Sequence, residues 1–284
     1  MENSYRLVIS CPDRVGIVAE VSRFVADLGG WLLEASYHAD EESGWFFMRN
    51  EIKASSLSVS LQEFSSRFEV IANDFGMKWS ITESAKPKRM VLLCSQASHC
   101  LADLLYRWHS GDLHCEIPAV ISNHEKLRSM VEWHNIPFHH VPVTPENKTG
   151  ANAEIESLIG SYRADLVVLA RYMQIIPPSL CHRYAGRMIN IHHSFLPSFV
   201  GANPYRKAYE RGVKLMGATC HYVTEELDQG PIIEQDVMRV NHRHSIDDMV
   251  RLGKDVEASV LARGIRYHLE DRVIVQGNKT VILD

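Results

Sequence analysis

Residues 187–197, Arg-Met-Ile-Asn-Ile-His-His-Ser-Phe-Leu-Pro, contain the pattern that decides the fold of the larger part of this chain. The apolar residues at 188–191 are typical of a buried strand, and a polar segment that ends in proline follows directly. In open α/β sheets, binding groups collect in loops of this kind, beyond the carboxyl ends of the strands. Asn190 and His192 are separated by a single residue, so in an extended strand their side chains leave the same face and can converge on one small polar group.

A second polar loop supplies a carboxylate. Residues 221–231, His-Tyr-Val-Thr-Glu-Glu-Leu-Asp-Gln-Gly-Pro, also follow an apolar run, and Asp228 lies 38 positions after Asn190 (228 minus 190). An amide and an imidazole can stabilise a carbonyl oxygen that becomes an oxyanion, while a carboxylate can orient or deprotonate a nucleophile. Taken singly, Asn190 also fits a loop cap, His192 a hydrogen-bonded loop histidine and Asp228 a turn former before Gly230. The three residues at this spacing favour shared chemistry.

The two segments, joined by Ser-Phe at 198–199 and by Gly201, resemble the folate-dependent formyltransferase family. Together with its N-terminal region, the whole chain resembles the formyltetrahydrofolate deformylases. The resemblance implies hydrolysis of 10-formyltetrahydrofolate to tetrahydrofolate and formate, which would supply formate and balance the one-carbon pool for purine biosynthesis. It also implies that Asn190 and His192 hold the formyl oxygen, that Asp228 positions and helps to deprotonate water, and that neither a cofactor nor a metal is needed.

The segment after an apolar run at 165–170 is the candidate folate pocket, because it lies at the ligand-binding edge of the predicted sheet. From the residues alone, it is an apolar strand exit. The resemblance implies that apolar side chains here pack against the pterin, that backbone groups read its polar edge, and that the backbone near 224–227 closes the other side. The implied folate-binding residues are Leu169, Arg171, Tyr172, Met173, Gln174, Ile175, Thr224 and Leu227.

Other polar residues near the two loops are candidates for supporting the site rather than reacting. They are His193, Ser194 and His221, and, on a helix predicted near 203–211, Tyr205, Arg206 and Tyr209, which would cover the side where an acceptor enters. A solvated helical face explains the residues of that helix equally well.

The turn at residues 95–100, Ser-Gln-Ala-Ser-His-Cys, contains no glycine. A dinucleotide site needs glycine so that the backbone can approach a phosphate, and NAD binding is therefore not expected. The related glycinamide ribonucleotide formyltransferases hold a phosphate with Gly-Ser-Asn at this point, so transfer to a sugar phosphate is disfavoured. Two alternatives stay open: a folate-dependent formyltransferase that acts on an amine, and an amino-acid-sensing regulatory protein with an inert catalytic domain.

Composition limits the class of protein. The chain has 284 residues, 45% of them hydrophobic, and a net charge of −5, which argues against a nucleic-acid partner. No signal sequence and no run of eighteen apolar residues occurs, so we expect a cytoplasmic protein without a membrane partner. Six cysteines without CxxC spacing indicate free thiols, and the fifteen histidines lack the spacings of metal sites, so no metal is expected.

Residues 1–84 are predicted to form a separate domain with the element order βαββαβ of a ferredoxin-like sandwich. The segment at 11–19, Cys-Pro-Asp-Arg-Val-Gly-Ile-Val-Ala, followed by two glycines at 29–30, resembles the ACT domain, although Trp31 stands where many such domains have Asn. The resemblance implies either an effector site, with an amino acid such as glycine or methionine as effector, or a packing module without one. We also expect a homo-oligomer. The candidate effector residues are Asp13, Val15, Gly16 and Ile17.

Residues 85–284 are predicted to form the catalytic domain. Apolar strand patterns alternate with amphipathic helices from residue 89 to residue 269, which predicts a Rossmann-like, mostly parallel sheet with helices on both faces. A terminal hairpin is predicted at 272–283 around Gly277 and Asn278.

Overall fold

The computed structural model describes residues 3–197 and 204–284. The chain forms two compact units, one comprising Met1–Pro87 with Glu270–Gln276 and Val281–Asp284, the other Lys88–Leu269 with Gly277–Thr280. Ser198, Phe199 and Gly201 of the family motif lie outside the described residues. Within the described ranges, no helix is long and apolar enough to cross a membrane.

The first unit contains a four-stranded antiparallel sheet and two helices. The elements are β1 Ser4–Pro12, α1 Ile17–Asp27, β2 Leu32–Asp40, β3 Trp45–Lys53, α2 Leu61–Phe75 and β4 Lys78–Glu83. The strands lie in the order β2-β3-β1-β4.

The apolar pattern predicts a second helix over roughly 57–75, but helix α2 begins later, at Leu61. Residues 54–56 form a short 3-10 turn, and the Ser60 side chain accepts a hydrogen bond from Glu63 N at 3.2 Å. A serine cap of this kind satisfies one of the unpaired N–H groups at a helix start, so the prediction that the helix begins at Leu57 is wrong. Phe64 and Phe68 of α2 are fully buried and pack with Val21 of α1, which gives this unit its core.

The second unit carries the remaining alternation of strands and helices. Its elements are β5 Lys88–Cys94, α3 His99–His109, β6 Cys115–Glu116, β7 Val120–Ser122, α4 Arg128–Trp133, β8 Phe138–His140, α5 Lys148–Ser161, β9 Leu166–Ala170, α6 Pro178–Arg183, β10 Met188–His192, α7 Pro204–Arg211, β11 Leu215–Tyr222, β12 Ile232–Arg239 and α8 Ile246–Leu269. The sequence pattern predicts a single strand near 114–121, but two short strands form there because Pro118 between them has no N–H to donate.

The sheet of the second unit has eight strands in the order β12-β11-β10-β9-β5-β7-β8, with β6 beside β5. The pairs from β8 to β10 are parallel, whereas β11 and β12 are antiparallel. The prediction of a mostly parallel α/β sheet is confirmed. Every residue of β9 is buried, as expected for a strand covered on both sides. Parallel β9 and β10 therefore end at the same edge of the sheet, where their loops meet.

The predicted terminal hairpin is confirmed as β13 Val273–Gln276 and β14 Lys279–Ile282. Gly277 in its turn has φ 61°, a conformation that glycine adopts without strain. Ile274 and Leu283 pack with Phe47 of β3, which is fully buried, in a second apolar cluster of the first unit. The C-terminal hairpin thus packs into one apolar core with a strand from the N-terminal part of the chain.

Candidate active site

Asn190 and His192 lie on the last half of β10, as the strand pattern predicts. In the antiparallel ladder with β11, Asn190 pairs with His221 and His192 pairs with Thr219. Cross-strand partners on one face have closely spaced side chains, and the Asn190 Nδ2 and His221 Nε2 atoms are 3.1 Å apart. The ladder therefore adds His221 to the pair that the sequence identifies.

Asp228 lies in the loop that connects β11 to β12. The base of the loop is closed by a hydrogen bond from Tyr222 N to Pro231 O of 2.9 Å. Gly230 passes so close to the strand that a Cβ atom there would lie 1.8 Å from the Tyr222 carbonyl oxygen. Asp228 itself has φ 58°, a left-handed conformation that costs free energy in most residues but that Asp tolerates better. Strained backbone of this kind turns the Asp228 carboxylate towards β10.

The carboxylate of Asp228 contacts two imidazoles. Its Oδ2 atom is 3.2 Å from His192 Nδ1, and its Oδ1 atom is 3.7 Å from His221 Nε2. Burial raises the pKa of Asp228, but the hydrogen bond from His192 and the nearby imidazoles outweigh burial and lower that pKa below its usual value. Asp228 is consequently an acceptor at neutral pH, and His192 Nδ1 must carry the hydrogen.

The other ring nitrogen of His192, Nε2, is buried within the site. His192 is 5% exposed, and among the described residues its Nε2 atom has no hydrogen-bond partner. Buried polar groups are usually satisfied, so an unpaired imidazole nitrogen points to a ligand or substrate atom that completes the bond. The arrangement offers a carboxylate, an imidazole nitrogen and an amide to one reacting carbon.

His221 fixes the orientation of the Asn190 amide. The His221 Nδ1 atom lies 2.9 Å from the Tyr222 carbonyl oxygen, which can only accept, so Nδ1 carries the hydrogen and Nε2 is an acceptor. Burial lowers the pKa of His221, which keeps the ring neutral. Asn190 Nδ2 then donates one N–H to His221 Nε2 and has a second N–H for a ligand.

The eight residues implied as folate contacts differ in how far they are buried. Leu169 and Tyr172 belong to a buried apolar cluster, whereas Met173, Ile175 and Leu227 are 58%, 60% and 62% exposed. Gln174 is half-buried, and exposed Thr224 donates to Glu226 O at 3.1 Å. Large exposed apolar side chains next to polar loops are typical of a ligand site.

The turn after β5 is hydrogen-bonded to the segment at 169–175 that forms the candidate folate pocket. Ser95, which is 2% exposed, donates from Oγ to Asn123 Oδ1 at 2.6 Å and accepts from Met173 N at 2.9 Å. The glycine-free turn thus fixes the backbone at the start of the pocket segment.

Arg171 is placed differently from the other residues of that segment. Its φ is 63°, and its Nε atom lies 3.3 Å from Oε2 of Glu257 on α8. Glu257 is a functional candidate that the sequence reasoning missed. The signal was present, because Glu257 interrupts the buried stripe of Met249, Gly253, Val260 and Gly264 along α8, and a charged residue on a buried stripe is rarely left unpaired.

Thr219 is a second missed residue. It is fully buried, accepts from Leu196 N at 3.0 Å and from Gln235 Nε2 at 3.0 Å, and donates to the Ser194 carbonyl at 2.9 Å. These bonds attach the segment after His192 to β11. No sequence signal distinguishes this threonine from any other in a buried strand.

The candidate effector residues lie where β1 meets α1. Gly16 precedes α1 with φ 102°, Ile17 is 2% exposed, and Val15 is fully exposed. Asp13 N donates to Gly44 O at 2.8 Å. The segment is therefore a turn with a polar backbone beside one exposed apolar side chain.

Potential metal ligands meet at one place in the described part of the chain, where atoms of His99, Cys100 and Glu257 lie within 4.8 Å of one another. The Glu257 carboxylate already accepts hydrogen bonds from His99 and Tyr205, and burial raises the pKa of the Cys100 thiol well above its usual value. A protonated thiol and a saturated carboxylate are poor ligands, so the group is better described as a hydrogen-bonded network.

Comparisons with known proteins agree with this geometry. A family model described as formyl transferase matches residues 88–265. The formyltetrahydrofolate deformylase of Bacillus subtilis strain 168 is 46% identical over 100% of this chain and 95% of its own length. A crystal structure of a formyltetrahydrofolate deformylase from Pseudomonas syringae pv. tomato DC3000 is 64% identical, with TM-score 0.98, and covers 100% of this chain and 95% of that one. Glycinamide ribonucleotide transformylase 1 from Symbiobacterium toebii is 29% identical, with TM-score 0.66, over 70% of this chain and 95% of its own.

Proposed function

This chain belongs to the formyltetrahydrofolate deformylase family, and from the geometry of its site we propose that Asn190, His192 and Asp228 carry out the hydrolysis. The reaction releases formate from formyltetrahydrofolate, which makes the protein a hydrolase. The family resemblance inferred from residues 187–231 is confirmed. The alternatives of transfer to an amine and of an inert regulatory protein are not retained, because relatives that are 46% identical over 97–100% of this chain carry the deformylase name.

Binding of the formyl group is assigned to Asn190 and His192. The free N–H of Asn190 Nδ2 and the His192 Nε2 position face the same reaction centre. When the His192 ring is protonated to an imidazolium, its Nε2–H donates to the formyl oxygen. The hydrogen bonds from His192 and Asn190 both strengthen as that oxygen becomes an oxyanion. These contacts stabilise the transition state more than the substrate, which is what lowers the barrier.

Attack and proton transfer are assigned to the pair formed by Asp228 and His192. Water adds to the formyl carbon and loses a proton to this pair: His192 Nε2 takes the proton, and the Asp228 carboxylate stabilises the resulting imidazolium across the 3.2 Å contact between Oδ2 and Nδ1. The C–N bond then breaks, and the pair returns a proton to the departing folate nitrogen. Tetrahydrofolate and formate are the products, and neither a metal nor a cofactor enters the proposed reaction.

The observation that carries this proposal is the buried Nε2 of His192, which has no partner within residues 3–197 and 204–284, with Asp228 at the opposite nitrogen of the same ring. The test is incubation of the purified protein with 10-formyltetrahydrofolate in ¹⁸O-labelled water without any amine. We expect labelled formate from the wild type and a loss of about 10²–10⁴-fold in rate for His192→Ala. Unlabelled formate, or a His192→Ala rate equal to the wild type, would contradict the assignment.

The folate pocket is proposed to be lined by the segment at 169–175 and the loop at 224–227. Met173, Ile175 and Leu227 offer exposed apolar surface to the pterin, while Leu169 and Tyr172 hold the strand end from within the core. Backbone groups near Gln174 and Thr224 would read the polar edge of the ring. The variant Met173→Ser should raise KM with little change in kcat, because it removes apolar contact that substrate and transition state share.

The N-terminal domain, residues 1–84, is proposed to be a ferredoxin-like ACT domain, and residues 85–284 the catalytic domain. An antiparallel four-stranded sheet with two helices supports the first assignment. Asp13, Val15, Gly16 and Ile17 would bind an amino acid such as glycine or methionine. Activity measured across an amino-acid panel, for the wild type and for Gly16→Val, tests this, and identical curves with no response to any amino acid would reject it.

The proposal also covers the oligomeric state, the compartment and the use of the released formate. We propose a homo-oligomer in the cytoplasm whose formate supplies purine biosynthesis. β2 and β4 are the edges of the first sheet, and open edges are common places for copies of a chain to pair. Light scattering of the purified protein would reject the oligomer if it gave the mass of a single 32.3 kDa chain.

A further inference from the structure

Four polar side chains from four separate segments of the second unit surround the Glu257 carboxylate or contact its partners. The Glu257 Oε2 atom accepts from His99 Nε2 at 2.7 Å and lies 3.3 Å from Arg171 Nε. The Tyr205 hydroxyl donates to Oε1 of the same carboxylate. Arg171 also donates from its second guanidinium nitrogen to His193 Nδ1. The reaction proposed above uses none of these groups.

The network is built around one ion pair, between Glu257 and Arg171. Glu257 is 1% exposed, and burial raises its pKa, but the hydrogen bond from His99, the charge of Arg171 and the hydrogen bond from Tyr205 together lower that pKa below its usual value. Burial and the charge of Arg171 lower the pKa of His193 to about 4, so this ring is neutral and its Nδ1 accepts. An ionised carboxylate and a guanidinium therefore neutralise each other away from solvent, and each also has hydrogen-bond partners within the network.

The side-chain rings of Tyr205, His193 and His192 lie in a row, in that order. The His193 ring lies 5.3 Å from the His192 ring at an interplanar angle of 29°, and 6.1 Å from the Tyr205 ring at 34°. His193 is thus enclosed between Tyr205 and His192, and it is tied from the side by Arg171. Glu257 contacts both Tyr205 and Arg171, and both of these contact His193. The four residues therefore form a closed cycle of contacts.

We propose that Arg171, His193 and Glu257 are positioning residues that hold the His192 imidazole in its reactive orientation. Asp228 fixes one edge of the His192 ring through Nδ1, and the stacked His193 ring covers one of its faces. Together they leave Nε2 aimed at the reaction centre. Displacement of a reacting group by about 1 Å can cost about 100-fold in rate, so a fixed neighbour of this kind has a measurable effect.

The main test removes both charges together, because a single substitution would leave the other charge buried and unpaired. In the double variant Arg171→Met and Glu257→Gln, we expect kcat for formate release to fall by about 10- to 100-fold, with KM changed by less than about threefold. Lost positioning weakens the transition state and leaves substrate binding intact. A raised KM with unchanged kcat would overturn the proposal and identify Arg171 as a folate contact.

A second pair of variants separates the effect of the His193 ring from the effect of the Arg171 and Glu257 charges. His193→Ala removes the ring that covers His192, and we expect the same loss of kcat. His193→Phe restores a ring to the row and should recover part of that loss. A wild-type kcat in His193→Ala would overturn the proposal, as would a His193→Phe variant no more active than His193→Ala.

A spectroscopic measurement tests the network without activity. The His193 imidazole should titrate at about 4 in the wild-type protein. In the single variant Arg171→Met the neighbouring cation is gone while Glu257, whose charge raises this pKa, remains, so the NMR midpoint should rise, although burial, the larger cause, keeps it below the ordinary value of about 6.5. An unchanged midpoint would show that Arg171 does not act on His193, and would contradict the proposal.

The matched control is Arg263→Met. Arg263 also belongs to α8 and forms ion pairs with Asp236 at 2.8 Å and Glu234 at 3.4 Å, but it contacts neither His192 nor His193. We expect its kcat to equal that of the wild type. The inference rests on the catalytic role of His192, so Asp228→Asn is measured in parallel. If Asp228→Asn is inactive while the double variant is fully active, only the positioning role fails.

Discussion

The Asn190 amide provides the sharpest single prediction. Its Nδ2 atom has two N–H groups, one of which donates to His221 Nε2 at 3.1 Å, and the other is free for the oxyanion. Asn190→Ala removes this donor and leaves the strand intact, because the backbone pairing of β10 with β11 does not involve the side chain. One lost oxyanion donor costs about 2.7–4 kcal/mol, which corresponds to a loss of about 10²–10³-fold in kcat.

The assay is formate release at saturating 10-formyltetrahydrofolate, with KM measured in the same series. Asn190→Ala should lower kcat far more than it changes KM. Asn190→Asp is the matched comparison, because it keeps the size of the side chain but replaces the donor with an acceptor, and it should be at least as damaging as alanine. If Asn190→Ala lost less than about threefold in kcat, the assignment of Asn190 to the oxyanion would be refuted.

Three further predictions concern the loop, the core and pH. Gly230→Ala would place a Cβ atom 1.8 Å from the Tyr222 carbonyl oxygen, so the loop that carries Asp228 must move, and kcat should fall while circular dichroism stays native. Phe68→Ala empties a fully buried position of the first unit and should lower the free energy of unfolding by about 3–5 kcal/mol in urea denaturation; a loss under about 1 kcal/mol would contradict the packing. The folded-state pKa of Asp228 is lowered, so its ionisation contributes stability that is complete above the unfolded pKa of about 3.9 and is lost as pH falls through the folded value. The difference in unfolding free energy between the wild type and Asp228→Asn should therefore stay constant down to about pH 5 and shrink below it, and a difference that grows with acidity would have the wrong sign.

Local sequence patterns predict the elements of this protein well where the physics is local. The period of an extended strand is enough to place Asn190 and His192 on one face, and β10 confirms it. The glycine in the turn at residue 277 similarly indicates the hairpin. The exceptions are also local, since Pro118 divides a predicted strand and Ser60 delays the start of α2.

Contacts between distant segments could not be derived from the pattern alone. The cross-strand pair of Asn190 and His221 requires the register of two antiparallel strands, which the sequence does not state. Packing of Phe47 with Ile274 and Leu283 joins residues more than two hundred positions apart. Glu257 could have been noticed as a charge on a buried helical stripe, but its three partners come from three other parts of the chain, and only the folded chain brings them together.

The central claim is that Asp228, through His192, activates the water that attacks the formyl carbon. The most direct measurement is single-turnover formate release by Asp228→Asn, a variant that keeps the shape of the side chain but removes its charge and one acceptor oxygen. The account predicts a rate lower by about 10²–10⁴-fold with substrate still bound. A variant that binds the folate and releases formate at the wild-type rate would contradict it.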